Sequence, residues 1–104
     1  MRYFSISQGP RGCYMPDDNY IIAVETRREL KKCLENEAYY IRDAGFLGVN
    51  KKAVAWLAAS AWRNRDDLDS YCVPYRNAHH GASYCYALFC QRVTRTEYLD
   101  HQDD

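Results

Sequence analysis

Between Tyr71 and Val93 the chain reads YCVPYRNAHHGASYCYALFCQRV, which gathers three of its five cysteines and two of its three histidines. Thiolate and imidazole are the donors zinc prefers, and the same pair can serve as nucleophile and base. The spacing is Cys72-x6-His79-His80-x4-Cys85-x4-Cys90, with no CxxC knuckle to supply two ligands from one tight turn. Cys85 and Cys90 lie an odd number of residues apart, so an unbroken strand turns them to opposite faces. Cys72, His80 and Cys85 remain as the set that could converge at a hairpin end and hold a metal. The bland alternative, buried thiols beside a solvated loop, fits the spacing better. Cys85 with His79 or His80 could be drawn as a catalytic pair oriented by Asp66, Asp67 or Asp69. No cysteine-enzyme signature surrounds them, and no glycine-rich phosphate loop, serine elbow or HExxH is present. We therefore expect no catalysis and no cofactor.

A second pattern lies at Ala44, Gly48 and Val54, whose A-x3-G-x5-V spacing resembles the turn region of a helix-turn-helix, with Leu47 and Leu57 at apolar positions. The resemblance covers about twenty residues and implies a DNA-binding regulator in which Asn50, Lys51 and Lys52 face the groove. Gly45 would then fall inside the first helix of the motif, and Trp56 on its reading face. Charge also bears on nucleic acid: Lys plus Arg and Asp plus Glu are balanced at 14 each, whereas phosphate binding favours a basic chain. The basic run RRELKK (27–32) reads as a solvated helix face with acidic neighbours.

The aromatic content is the stronger hint. Ten tyrosines and two tryptophans are spread along 104 residues. Tyr14, Tyr39, Tyr40, Tyr71, Tyr75 and Trp56 exceed what one small core can take. Tyrosine, tryptophan and arginine are enriched at binding hot spots, which makes Tyr39, Tyr40, Arg42, Tyr75 and Arg63 the candidate partner-binding set.

The elements that must position these groups are legible in part. RYFSIS (2–7) alternates as a half-buried strand, a Gly/Pro/Asp-rich loop follows from Gln8, and YIIAV (20–24) is a second strand. Thr26 and Glu29 make a capping box, and Leu30, Cys33, Leu34, Ala38 and Ile41 form one apolar stripe of a helix that Gly45 ends, with Phe46 packing back on Ile41. Asn50 caps a second helix, which Val49 staples at Val54 and whose apolar surface is broad. YCVPYR (71–76) reads as an edge strand, because Pro74 has no N–H for a ladder. Residues 84–93 read as a central strand, apolar on both faces, with Thr94 and Glu97 opening a short helix before an acidic tip (100–104) that frays.

The expected fold is α+β: a single domain (1–104) in β-β-α-α-β-β order, with a mostly antiparallel four-stranded sheet covered on one face by an αα-hairpin. With no apolar run of membrane-spanning length, no secretory leader and an odd cysteine count, we expect a cytoplasmic protein with reduced thiols. Zero net charge permits a homodimer. The expected function is a non-enzymatic protein–protein interaction module that acts on a protein partner by steric occlusion. Compact chains without chemical motifs of this kind include small accessory proteins of phages and mobile elements, among them anti-defence inhibitors of the anti-CRISPR sort.

Overall fold

The computed structural model describes residues 1–10, 20–64, 70–77 and 86–102. In chain order the elements are β1 (Arg2–Pro10), β2 (Tyr20–Val24), α1 (Arg27–Asp43), β3 (Phe46–Leu47), α2 (Lys51–Arg63), β4 (Ser70–Asn77), β5 (Tyr86–Val93) and α3 (Arg95–Gln102). The described strands form one antiparallel sheet in the order β2-β1-β5-β4-β3. The fold is α+β as expected, but with a fifth strand. β3 is a two-residue strand between Gly45 and Gly48, and it exists because Phe46 and Leu47 pair with Asn77 and Arg76 at the end of β4. Phe46 meets the Tyr75 ring edge-on, with centroids 5.2 Å apart.

The first strand is also longer than its alternation suggests. Gln8, Gly9 and Pro10 continue β1 by pairing with Leu88, Ala87 and Tyr86, so tertiary pairing overrides a Gly-Pro loop signal. The last strand begins at Tyr86; Tyr84, Cys85 and the histidine loop lie outside the described residues.

Antiparallel register places cross-strand partners on one face. Phe4, Ile6, Leu88, Cys90, Val73 and Tyr75 therefore share a face, and they are buried together with Leu30, Leu34, Ala38 and Ile41 of α1 and Val54, Leu57, Ala58 and Ala61 of α2. The helices lie antiparallel on this face. At one end Arg42 of α1 bonds the Val49 carbonyl just before α2; at the other, Arg2, opposite Val24, bonds the Trp62 carbonyl near the end of α2. On the opposite face Ser5, Ser7, Ala87 and Phe89 are also buried, and Tyr98 of α3 packs on Tyr3 with ring centroids 4.9 Å apart. β5 is thus covered on both sides, as its sequence indicates. β3 reaches only the end of β4, so from Ser70 to Tyr75 no described strand lies on the outer side of β4. Pro74 falls in that stretch, on the kind of edge to which proline is confined within sheets.

The caps are formed from the expected residues. Thr26 Oγ1 accepts from the Glu29 N–H at 3.2 Å, Asn50 Oδ1 from the Ala53 N–H at 2.8 Å, and Thr94 Oγ1 from the Glu97 N–H at 3.1 Å. Gly45, with φ of 96°, ends α1 and gives its N–H to the Arg42 carbonyl. Phe4 is fully buried at the seam where Trp62 stacks beside it and the Arg2 guanidinium lies 4.0 Å from the Trp62 ring. Phe4→Ala is expected to lower unfolding free energy by about 3–5 kcal/mol in urea titration, against about 1 kcal/mol for Thr26→Ala, which removes a single exposed cap.

Candidate functional site

The strongest concentration of polar groups inside the fold lies where β1 and β2 pass under the second half of α1. Two facts of local structure create it. The extension of β1 places Gln8 on the helix-facing side, because β1 alternates and Phe4 and Ile6 already point there. The register then sets Tyr20, the first residue of β2, opposite Ile6 on the same side. Above them, α1 carries Glu37 on the shoulder of its apolar stripe, one turn after Cys33 and one turn before Tyr40.

Glu37 is held from two directions. Gln8 Nε2 donates to its Oε2 at 2.7 Å and Tyr20 Oη donates to its Oε1 at 3.0 Å. Tyr75 Oη donates to Gln8 Oε1 at 3.1 Å, which orients that amide. Tyr86 stacks on Tyr75 with centroids 6.1 Å apart and leaves 44% of its surface exposed. A continuous chain of contacts therefore runs Tyr86–Tyr75–Gln8–Glu37–Tyr20 across the sheet. Beside it opens a pocket of about 380 Å³ lined by Ile6, Ser7, Gln8, Tyr20 and Glu37.

The acids around the pocket are held in their protonated, donor forms. Burial raises the Tyr20 phenol well above its ordinary 10.0, and the neighbouring Glu37 charge and hydrogen bond add to it. Burial likewise raises the Cys33 thiol, helped by Glu29 and opposed by Lys32. Cys90 is raised by burial first and then by Cys33. A neutral phenol beside a carboxylate presents a hydrogen-bond donor and acceptors side by side at the groove. The unfolded chain releases these protons near 9.0 and 10.0, while the folded protein keeps them to higher pH. The unfolded state then binds fewer protons, so this stability is fully present below pH 9 and falls as pH rises. The urea midpoint is expected to decline as pH rises above about 9, and Cys90→Ala is expected to flatten the first part of that decline.

The residues singled out from sequence are only partly brought together. Tyr39 and Tyr40 are 59% and 68% exposed, with their rings edge to face at 5.7 Å, and Tyr40 stands on the Glu37 side of α1. Tyr75 is not on the surface: at 5% exposure it is a wall beneath the site, fixed by Phe46, Gln8 and Tyr86. Arg42 is engaged internally, donating to the Val49 carbonyl at 2.5 Å and pairing with Glu35 at 3.3 Å, which clamps the connection between the helices. Arg63 lies at the far end of α2, its Nε bonded to the Ala59 carbonyl, so antiparallel packing separates it from Tyr39 and Tyr40. The residues not anticipated are Gln8, Tyr20, Glu37 and Tyr86. The only sequence signal for Glu37 was a carboxylate on the edge of an apolar stripe. Arg42→Ala is expected to destabilise the fold by about 1–2 kcal/mol in thermal or urea unfolding, through loss of charge-assisted bonds at the helix junction.

The helix-turn-helix geometry is not formed. The connection from Ala44 to Asn50 contains β3, and the two helices pair as an antiparallel hairpin rather than across the motif's tight turn of 3–4 residues. Asn50 is occupied as the α2 cap, while Lys51 and Lys52 are exposed. Of the metal set, Cys72 is half-buried on the sheet face opposite Cys90, while His80 and Cys85 lie outside the described residues. Among the described residues no group of three His, Cys, Asp or Glu side chains could hold a metal ion, and no helix is long and apolar enough to cross a membrane. Comparison of the chain with family models, with curated proteins and with solved structures finds no match.

Proposed function

We propose that this protein is a non-enzymatic protein–protein interaction module that docks through the tyrosine-rich surface around Glu37 and occludes a functional surface of its partner. One observation carries this proposal: exposed Tyr20 lines a groove built on a helix and the sheet, exposed Tyr86 joins it through Tyr75 and Gln8, and exposed Tyr40, with Tyr39 against its ring, stands one helical turn from Glu37. Tyrosine supplies large, stiff, amphipathic contact area at low entropy cost. The supporting elements are regular and packed, so little ordering is lost on binding. The small size and the steric mode fit an accessory inhibitor of the kind that phages and mobile elements carry against host defences.

The test is affinity capture with the chain as bait, followed by titration of the captured protein. Tyr40→Ala is expected to weaken that complex by about 2 kcal/mol or more, roughly 30-fold, with unfolding behaviour unchanged. If Tyr39→Ala and Tyr40→Ala leave affinity intact while Lys51→Ala and Lys52→Ala abolish binding to nucleic acid, the interaction surface lies on α2 and the proposal fails.

A further inference from the structure

We infer that the Glu37 groove is an arginine-recognition site, and that the partner inserts the guanidinium of an exposed arginine into it. This inference rests on the interaction proposal above and names the chemistry of the partner group. Among the described residues that line the pocket Glu37 is the charged one, and among the described residues it has no lysine or arginine partner.

Its carboxylate is nonetheless aimed and immobilised. One oxygen is fixed by the Gln8 amide and the other by the Tyr20 hydroxyl. An ionised carboxylate offers about four acceptor positions, so each oxygen keeps one for an incoming donor. That is the acceptor pattern a bidentate guanidinium requires. Tyr20 stays a neutral donor here, so it orients Glu37 without adding a competing charge.

The surroundings suit the rest of an arginine side chain. The Ile6 side of the pocket is apolar and can cover the methylene stem. Tyr20 at the pocket, Tyr40 one helical turn from Glu37 and Tyr86 beyond Gln8 present rings on which a planar cation stacks. The molecule shows the same chemistry internally, where the Arg2 guanidinium lies over the Trp62 ring at 4.0 Å while donating to the Trp62 carbonyl at 2.7 Å. Lysine would satisfy the charge but neither the fork nor the stacking.

The experiment is a titration of the ¹⁵N-labelled full chain with Nα-acetyl-arginine amide, run beside Nα-acetyl-lysine amide and the neutral isostere Nα-acetyl-citrulline amide. The expected result is saturable shifts at Gln8, Tyr20 and Glu37 with the arginine compound, at least tenfold weaker with citrulline and weaker with lysine. Glu37→Gln should lower arginine affinity at least tenfold with an unchanged melting temperature. Equal binding of citrulline or lysine, shifts centred elsewhere, or an unaffected Glu37→Gln overturns the assignment; the ligand comparison decides the matter even if that variant folds poorly. If no arginine response is seen while Tyr40→Ala still weakens the captured complex, the arginine site falls and the interaction surface stands.

Discussion

The pairing of β1 with β5 is the constraint on which the rest of the molecule depends. It runs from Tyr3 opposite Val93 to Pro10 opposite Tyr86, joining the two ends of the chain at the middle of the sheet. Because it continues past Gln8, that amide is held on the helix-facing side and within reach of Glu37. Because β5 is central, its apolar residues meet α1 and α2 on one side and the Phe89 layer on the other. Contacts of such long sequence separation carry a large closure cost before they return any stabilisation. The middle of the sheet is completed last: β1 has only β2 beside it, and β4 only the two-residue β3, until β5 arrives.

Polar groups near the core are handled in two ways. Arg2, Arg42 and Gln8 are committed to internal partners, and they tie elements that are distant in sequence: β1 to α2, α1 to the start of α2, and β1 to α1 and β4. Glu37 is positioned by two donors and has no lysine or arginine partner among the described residues. A partly buried carboxylate without a cation is an electrostatic cost in the free protein, and one that a cationic contact relieves. This separates Arg2 and Arg42, which tie elements of the fold together, from Glu37, which faces a pocket.

Much of the fold was legible because its signals are local. Thr26 with Glu29, Gly45, Asn50, and Thr94 with Glu97 each announce a helix end through a bond spanning a few residues, and each forms. The alternation in residues 2–7 and the doubly apolar run at 86–93 gave the two central strands. What was not legible depends on distant partners. Phe46 and Leu47 become a strand only because β4 is there to pair with them, and Gly9-Pro10 carry a loop signature that pairing with Ala87 and Tyr86 overrides. The site was the least legible part. Its bonds join residues 29 and 17 positions apart, and a lone glutamate, glutamine and tyrosine form no motif. Tyrosine counting suggested a surface, but it could not sort buried Tyr75 from exposed Tyr40, since an apolar ring with a polar tip suits either place.

The position of Pro74 has a consequence for how the protein behaves at high concentration. A strand edge without a neighbour offers unpaired N–H and C=O groups to other chains, and from Ser70 to Tyr75 no described strand pairs with the outer side of β4. A molecule with zero net charge has little long-range repulsion to keep copies apart. Pro74 brings a ring and no N–H to the middle of β4, and proline on an edge strand is one of the devices that blunt edge-to-edge pairing. The residue that looks like a flaw in a strand is thereby a guard against edge-to-edge aggregation, placed where charge cannot provide one.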